Sequence, residues 1–256
     1  MRQMMKETTS KVLVFDFDGL LVDGLNECIL VSWNGFHDKD VDSFSPEGLA
    51  AIPEKFKDAF KNHRNFSRHL GHFVSPFYLD GHFTSQREFD AAFATIPARA
   101  VDAFVERVNA CRAQARLAHY RRWLEYHAFY PGVQALLQQI ADPVYIVTGK
   151  DAASVDELLQ CADIQVPVER VYGECRDKVA VLKQIARAQE VAPSEVYFFD
   201  DNVTNARAAF EGGFNAYWAT WGYNAPDHWA IARAADLPVI SLDDFLGMNL
   251  AQAVQA

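Results

Sequence analysis

Three short apolar runs end on acids or a threonine, and this pattern restricts the fold more than any other feature of the chain. They are Lys11–Phe17 (KVLVFDF), Val144–Thr148 (VYIVT) and Val196–Asp201 (VYFFDD). Each is rich in β-branched and aromatic residues and too short for a helix, which is how a parallel strand buried on both faces reads. The second run is followed by DAASVDELLQCA and the third by NARAAFEGG, both with helical spacing. Two further short runs, Ala216–Thr220 and Val239–Ile240, complete the set. Strands alternating with helices predict an α/β fold, a Rossmann-like, doubly wound parallel sheet covered on both faces. Ligands of such sheets bind beyond the carboxyl ends of the strands, so the polar tips should meet in one crevice.

The stretch 24–129 follows another rule. It lacks a convincing alternating run and is dominated by helical spacing, clearest from Ala98 to His127, where Val101, Phe104, Val105, Val108, Cys111 and Ala115 recur at steps of three and four. Pro97 is placed to open that helix, and its length predicts a bend or break. Between Asn62 and His82 the chain is rich in His, Phe and Gly and reads as loops or short helices. The expectation is a discontinuous core, 1–23 and 130–256, with an all-helical insert, 24–129, after the first strand. Pro131-Gly132 marks the return to the core, and the polar residues 1–10 are expected to fray.

Half of the 256 residues are apolar, enough for a sizeable core. The net charge of −10 argues against a surface that binds nucleic acid or an anionic membrane. It leaves small anionic substrates open, because a metal ion reverses the local field of an acidic pocket. None of the four cysteines forms a C-x-x-C pair, so reduced thiols are expected. The apolar stretch after the charged N-terminus is cut by Asp16 and Asp18, which reads as neither leader nor membrane span. These features together predict a cytoplasmic protein; either a monomer or a homodimer is expected, a choice the sequence leaves open.

Four local patterns carry chemistry. In Asp16-Phe17-Asp18-Gly19, strand alternation puts Asp16 and Asp18 on one side. Carboxylates that close repel unless a cation such as Mg²⁺ joins them, and then one can serve as nucleophile and the other as proton carrier. Gly19 would let backbone amides approach a phosphate. Thr148-Gly149-Lys150 joins a strand end to a helix start, either an anion site or an ordinary helix cap. Lys178 opens an amphipathic helix, where a lysine opposes the helix dipole unless anions lie nearby. Asp200-Asp201-Asn202, with Asn205 beyond, follows an apolar run, where adjacent acids suit either a metal or an acidic helix cap.

In this order, Asp16-x-Asp18-Gly19, Thr148, Lys178 and Asp200-Asp201 resemble the four motifs of the haloacid dehalogenase superfamily, on the phosphoglycolate-phosphatase-like branch with a helical cap. The F-Y-P-G-V and A-A-F-E-G-G-F stretches look like the same family. The resemblance implies a phosphatase that works through an aspartyl phosphate on Asp16. Asp18 would protonate the leaving oxygen and then activate water, and its presence favours phosphoryl chemistry over dehalogenation. Thr148, with Gly149 and Gly19, would hold the phosphate, and Lys178 would offset charge. Mg²⁺ would be held by Asp16, the carbonyl of Asp18, and Asp201, supported by Asp200 and Asn205. Asn205 stands where many members carry a second acid. The insert would act as the cap that selects a small phosphorylated metabolite, with Arg64, Arg68, His63, His69 and His72 as candidate contacts. Alternatives are phosphoglucomutase-type transfer, which would also use Asp16, and a non-catalytic regulatory module that kept the fold. A phosphonate hydrolase would need a cap lysine, and Lys39, Lys55, Lys57 and Lys61 have no distinguishing context.

Overall fold

A computed structural model describes residues 11–141, 143–248 and 250; the polar segment 1–10 lies outside the described residues. Eight strands are present among them: β1 (Val12–Phe15), β2 (Val22–Asp23), β3 (Ala128–Phe129), β4 (Val144–Val147), β5 (Val171–Tyr172), β6 (Val196–Asp200), β7 (Asn215–Ala219) and β8 (Val239–Ile240). Six form one parallel sheet in the order β5-β4-β1-β6-β7-β8. β1 is central, with Leu13 opposite both Val144 of β4 and Tyr197 of β6. The tips of β1, β4 and β6 therefore lie side by side, as their sequence pattern required.

Every residue of β1 and β4 is buried, which explains their unbroken apolar runs. Alternate residues of β1 face opposite layers. Val12 and Val14 pack with Leu182 and Ile185 of the helix Lys178–Ala188. Leu13 and Phe15 join the larger cluster with Phe199 and Phe245. That cluster continues without a gap into the helical segment through Phe17, Cys28, Phe60, Phe104 and Trp123. Sheet and helices thus share one buried interior on this side.

Between β2 and β3 the elements are helical, including Leu25–Phe36, Glu54–Arg64, Gln86–Phe93, Ala98–Ala118 and Tyr120–Glu125. The long helix expected over Ala98–His127 breaks at His119, whose φ of −131° and ψ of 44° leave the helical region. The short helix after the break carries Trp123, which is fully buried. Helices Leu25–Phe36 and Ala98–Ala118 touch at Gly35, where a Cβ would stand 3.1 Å from the Val108 backbone.

Two features differ from the sequence reading. β5 is an additional edge strand of two residues, too short to give a periodic signal. The segment 24–129 is not wholly helical: it ends in β3, which pairs antiparallel with β2, Val22 opposite Phe129 and Asp23 opposite Ala128. Tyr130 N extends the ribbon by donating to Leu21 O at 3.0 Å.

Phe199 is fully buried, with Phe15, Tyr217 and Phe245 ring centroids at 5.4, 5.1 and 5.2 Å. Phe199→Ala is expected to cost about 3–5 kcal/mol. Urea unfolding would measure it, and a loss under about 1 kcal/mol would remove Phe199 from the centre of the core.

Candidate active site

The site is assembled at the carboxyl ends of β1, β4 and β6. Asp16 follows β1 directly, and its N–H donates to Phe199 O of β6 at 2.9 Å, so the chain is still held by the sheet there. A tight turn comes next: Leu21 N donates to Phe17 O and Gly19 N to Val22 O, at 2.9 and 2.8 Å. Gly19 has φ of +94°, and a Cβ there would fall 2.2 Å from Asp201 Oδ2. Both the backbone and the close approach to Asp201 require glycine.

Asp16, Asp200 and Asp201 are buried and offer carboxylate oxygens that all lie within 4.8 Å of one another. Lys178 Nζ is 2.9 Å from Asp16 Oδ1 and 2.8 Å from Asp200 Oδ2. Burial alone would pull this lysine down, but Asp16 and then Asp200 outweigh it and hold it above the ordinary lysine value. The same two carboxylates offset the unfavourable helix dipole at the first residue of Lys178–Ala188. Burial pushes Asp200 up to about 6 against the pull of Lys178. Asp201 is raised well above the ordinary value, again by burial, with Arg64 opposing.

The backbone fixes the acids further. Asp200 Oδ1 accepts from Asn202 N and Asp201 Oδ2 from Tyr223 N, each at 2.8 Å. Trp218 Nε1 donates to Asp201 O at 2.8 Å. Both Asp200 oxygens are therefore occupied, by Lys178 and Asn202, behind the pair Asp16 and Asp201. This donor set is all oxygen, desolvated, and richer in negative charge than Lys178 can balance. It fits a hard divalent cation, for which Asp16 and Asp201 are the natural ligands.

Thr148 is buried at the tip of β4, and its Oγ1 accepts from Lys150 N at 3.3 Å. Asp16, Asp18, Thr148 and Asp201 line a cavity of about 40 Å³ together with Gly149 and Asn205. Arg64, Arg68 and His69 close it from the helical side. A Cβ on Gly149 would lie 3.4 Å from His69 Cα, so the helical layer sits tightly on this loop.

The candidate contacts of the helical segment separate into groups. Arg64 is buried, donates to Asp18 O at 3.4 Å and Ser67 O at 3.5 Å, and lies 3.9 Å from the Tyr223 ring. The Asp18 carbonyl, given to the metal by the resemblance, thus meets Arg64. Arg68 departs from expectation: its guanidinium is held bidentately by Asp90 at 2.8 and 3.0 Å, so it is not a free anion clamp. His63 is spent on packing, bonded to Ser75 Oγ and Gly81 O at 2.9 and 3.1 Å. His72 accepts from Arg68 N at 3.2 Å and packs against Phe93. His69 reaches the cavity, and burial, helped by Arg176, pushes it down to about 4. Lys39, Lys55, Lys57 and Lys61 do not line the cavity.

Sequence reasoning missed Glu27, Arg112 and Tyr223, and gave Lys150 no role of its own within Thr148-Gly149-Lys150. Lys150 is buried and 3.4 Å from Asp18 Oδ2; its position directly after Thr148-Gly149 was the available signal. Glu27 and Arg112 form a fully enclosed pair at 2.6 Å, yet in sequence each is an ordinary polar residue of a helix. Nothing in Trp221-Gly222-Tyr223 marks Tyr223, whose hydroxyl donates to Asp23 Oδ1 at 2.8 Å.

A family model for haloacid dehalogenase-like hydrolases matches residues 10–213. No curated protein matches the sequence. Solved structures do match in fold. The "predicted phosphoglycolate phosphatase" of Haemophilus somnus is 16% identical, with a TM-score of 0.61 over 94% of this chain and 99% of that one. The "predicted phosphatase" of Clostridium acetobutylicum is 13% identical, with a TM-score of 0.58 over 93% and 97%. A haloacid dehalogenase-like family protein of Streptococcus pneumoniae is 18% identical, with a TM-score of 0.55 over 94% and 98%. At these identities the likeness establishes the fold.

The raised acids set a pH dependence. Asp200 and Asp201 bind protons more readily folded than unfolded, so they favour the cation-free fold at low pH. That contribution is lost as pH rises from the ordinary aspartate value of 3.8 through about 6 for Asp200, and through the raised value of Asp201. Thermal unfolding in EDTA should therefore show a penalty at about pH 8 relative to about pH 5 that shrinks in Asp201→Asn. MgCl₂ should raise Tm more at the higher pH. A cation-induced shift equal at both would contradict the assignment of these acids.

Proposed function

Because the chain belongs to the haloacid dehalogenase-like hydrolases, we propose that it is a magnesium-dependent phosphatase that cleaves a small phosphomonoester through an aspartyl phosphate on Asp16. The observation that carries this reading is the Asp16 carboxylate, held by Lys178 at 2.9 Å beside Asp201 at the wall of a cavity also lined by Thr148 and Asp18. A nucleophile, a proton carrier, an anion-binding hydroxyl and a cation site thus share one small space.

In the first step an Asp16 oxygen forms a bond to phosphorus while the ester P–O bond breaks. Asp18 gives its proton to the departing oxygen, and the alcohol leaves. In the second step Asp18 takes a proton from water, whose oxygen attacks the phosphorus and releases phosphate from Asp16. Thr148 Oγ1 and the Gly149 amide, both at the cavity wall, hold phosphoryl oxygens, and Lys178 fixes Asp16 and compensates its charge. Mg²⁺ held by Asp16, Asp201 and the Asp18 carbonyl would add charge neutralisation, with Asp200 and Asn205 behind it.

The cavity of about 40 Å³ has room for roughly three water molecules, the scale of a phosphoryl group. The rest of the substrate meets the helical layer, which has the place of a substrate-selecting cap. Arg64 stacks on the Tyr223 ring and makes long hydrogen bonds to two carbonyls, with no carboxylate among its hydrogen-bond partners in the described residues, so its guanidinium suits a second anionic group on the substrate. Four free cysteines fit a reducing compartment such as the cytosol. Among the described residues no helix is long and apolar enough to cross a membrane.

Purified protein should release phosphate from p-nitrophenyl phosphate with Mg²⁺, and EDTA should abolish the release. Asp16→Asn should lower turnover by roughly a thousandfold or more with the fold intact by circular dichroism. Wild-type rates from Asp16→Asn would refute the proposed nucleophile.

A further inference from the structure

A chain of buried charges runs from Asp18 along the cavity wall, through Lys150 and Arg112, into the helical layer, and the reaction steps above leave it unused. Lys150 Nζ lies 3.4 Å from Asp18 Oδ2 and 3.5 Å from Glu27 Oε2, with its side chain wholly enclosed. Glu27, on the helix Leu25–Phe36, is also wholly enclosed and accepts from Arg112 Nε and Nη2 at 2.6 and 3.1 Å. Arg112 comes from the helix Ala98–Ala118, and its Nη1 is 3.6 Å from Asp151 Oδ2. His127 Nε2 stands 4.0 Å from Glu27 Oε2.

Stability does not account for this arrangement. A buried ion pair costs desolvation that apolar side chains of similar volume would avoid. Yet the centre of the cluster is well satisfied, with both Glu27 oxygens accepting from Arg112. Burial alone would push Glu27 up, but Arg112 and Lys150 reverse this and hold it below the ordinary carboxylate range. Its outermost anion is different. Asp18 Oδ2 is anchored by Lys150, while Asp18 Oδ1, also buried, has no hydrogen-bond partner among the described residues. One oxygen is pinned and the other makes no hydrogen bond. The residue that pins it is in turn pinned by two helices of the segment between β2 and β3.

We propose that Lys150 is a positioning residue that orients the Asp18 carboxyl for proton transfer to the leaving oxygen, and that Glu27, locked by Arg112, holds Lys150 in place. This rests on the phosphatase reading. The helical layer then does more than enclose the substrate: Glu27 and Arg112 make the proton-transfer geometry depend on that layer being seated on the sheet.

The test is leaving-group dependence. A poor leaving group needs its oxygen protonated as it departs, whereas p-nitrophenolate leaves readily without help. General acid assistance is worth roughly 10²–10⁴-fold where it is needed. Values of kcat/KM with Mg²⁺ are compared for phenyl phosphate and p-nitrophenyl phosphate, in wild type and Lys150→Met. The ratio kcat/KM reports steps through leaving-group departure, so later hydrolysis of the aspartyl phosphate does not mask the effect. Lys150→Met is expected to lose at least about tenfold more with phenyl phosphate than with p-nitrophenyl phosphate. The difference should vanish in an Asp18→Asn background, because Lys150 acts through Asp18. Equal loss on both substrates, or an undiminished difference without the Asp18 carboxylate, overturns the proposal. If Lys150→Met does not fold, Lys150→Gln, which keeps a hydrogen-bond donor in that space, should show the same skew in weaker form; no skew overturns it. Failure of the phosphatase reading is distinct: wild-type protein would release no phosphate from either ester.

Discussion

Mutual repulsion of carboxylates is the constraint around which this protein is built. Asp16, Asp200 and Asp201 are buried with carboxylate oxygens within 4.8 Å of one another, an arrangement that opposes folding unless something positive sits among them. Lys178 supplies one charge, fixed between Asp16 and Asp200. The sheet supplies the rigidity. Phe15 of β1 lies opposite Phe199 of β6, so the acids that follow cannot separate without breaking a central strand pair. Gly19 leaves room for the Asp201 carboxylate, and the Tyr223 and Asn202 amides take up oxygens that would otherwise be unsatisfied. The strain is local and the support is global, a common way for a fold to hold a reactive site.

The helical layer answers the same electrostatic problem from the other side. Arg64 and Arg112 are both buried cations from that layer, and Arg112 is neutralised within it by Glu27. Arg64 has no such partner in its own layer and leans on the Asp18 carbonyl and the Tyr223 ring instead. One arginine is therefore architectural and the other belongs to the site, although both are arginines buried on helices of the same segment. Their partners, not their burial, separate the two roles.

The acid-tipped strands were legible because a charged residue at the end of an apolar run has few structural uses. The five strands read from composition are all in the sheet, and the paired acids are together at their tips. What was illegible has two causes. β5, β2 and β3 are two residues each, below the length at which alternation can be seen. The remaining misses are pairings distant in sequence. Arg68 looked available until Asp90, 22 residues on, took its guanidinium. Glu27 and Arg112 stand 85 residues apart, and each alone is an unremarkable polar position. Burial of a charge is a property of the partner, which one sequence does not name. The break at His119 was foreseeable from length, but its position was not.

The short β2–β3 ribbon has a consequence for how such a chain can change. The chain leaves the sheet through Val22–Asp23 and returns through Ala128–Phe129, and these are hydrogen-bonded neighbours. Seen from the sheet, the hundred-odd residues between are one long loop with its ends already tied together. The entropy of closing a loop grows only slowly with its length. Material can then be added, trimmed or exchanged beyond the knot with little strain on the strands that carry Asp16 and Asp201, provided the new surface still covers the exposed apolar face. One invariant reaction centre can in this way be fitted with many different doors.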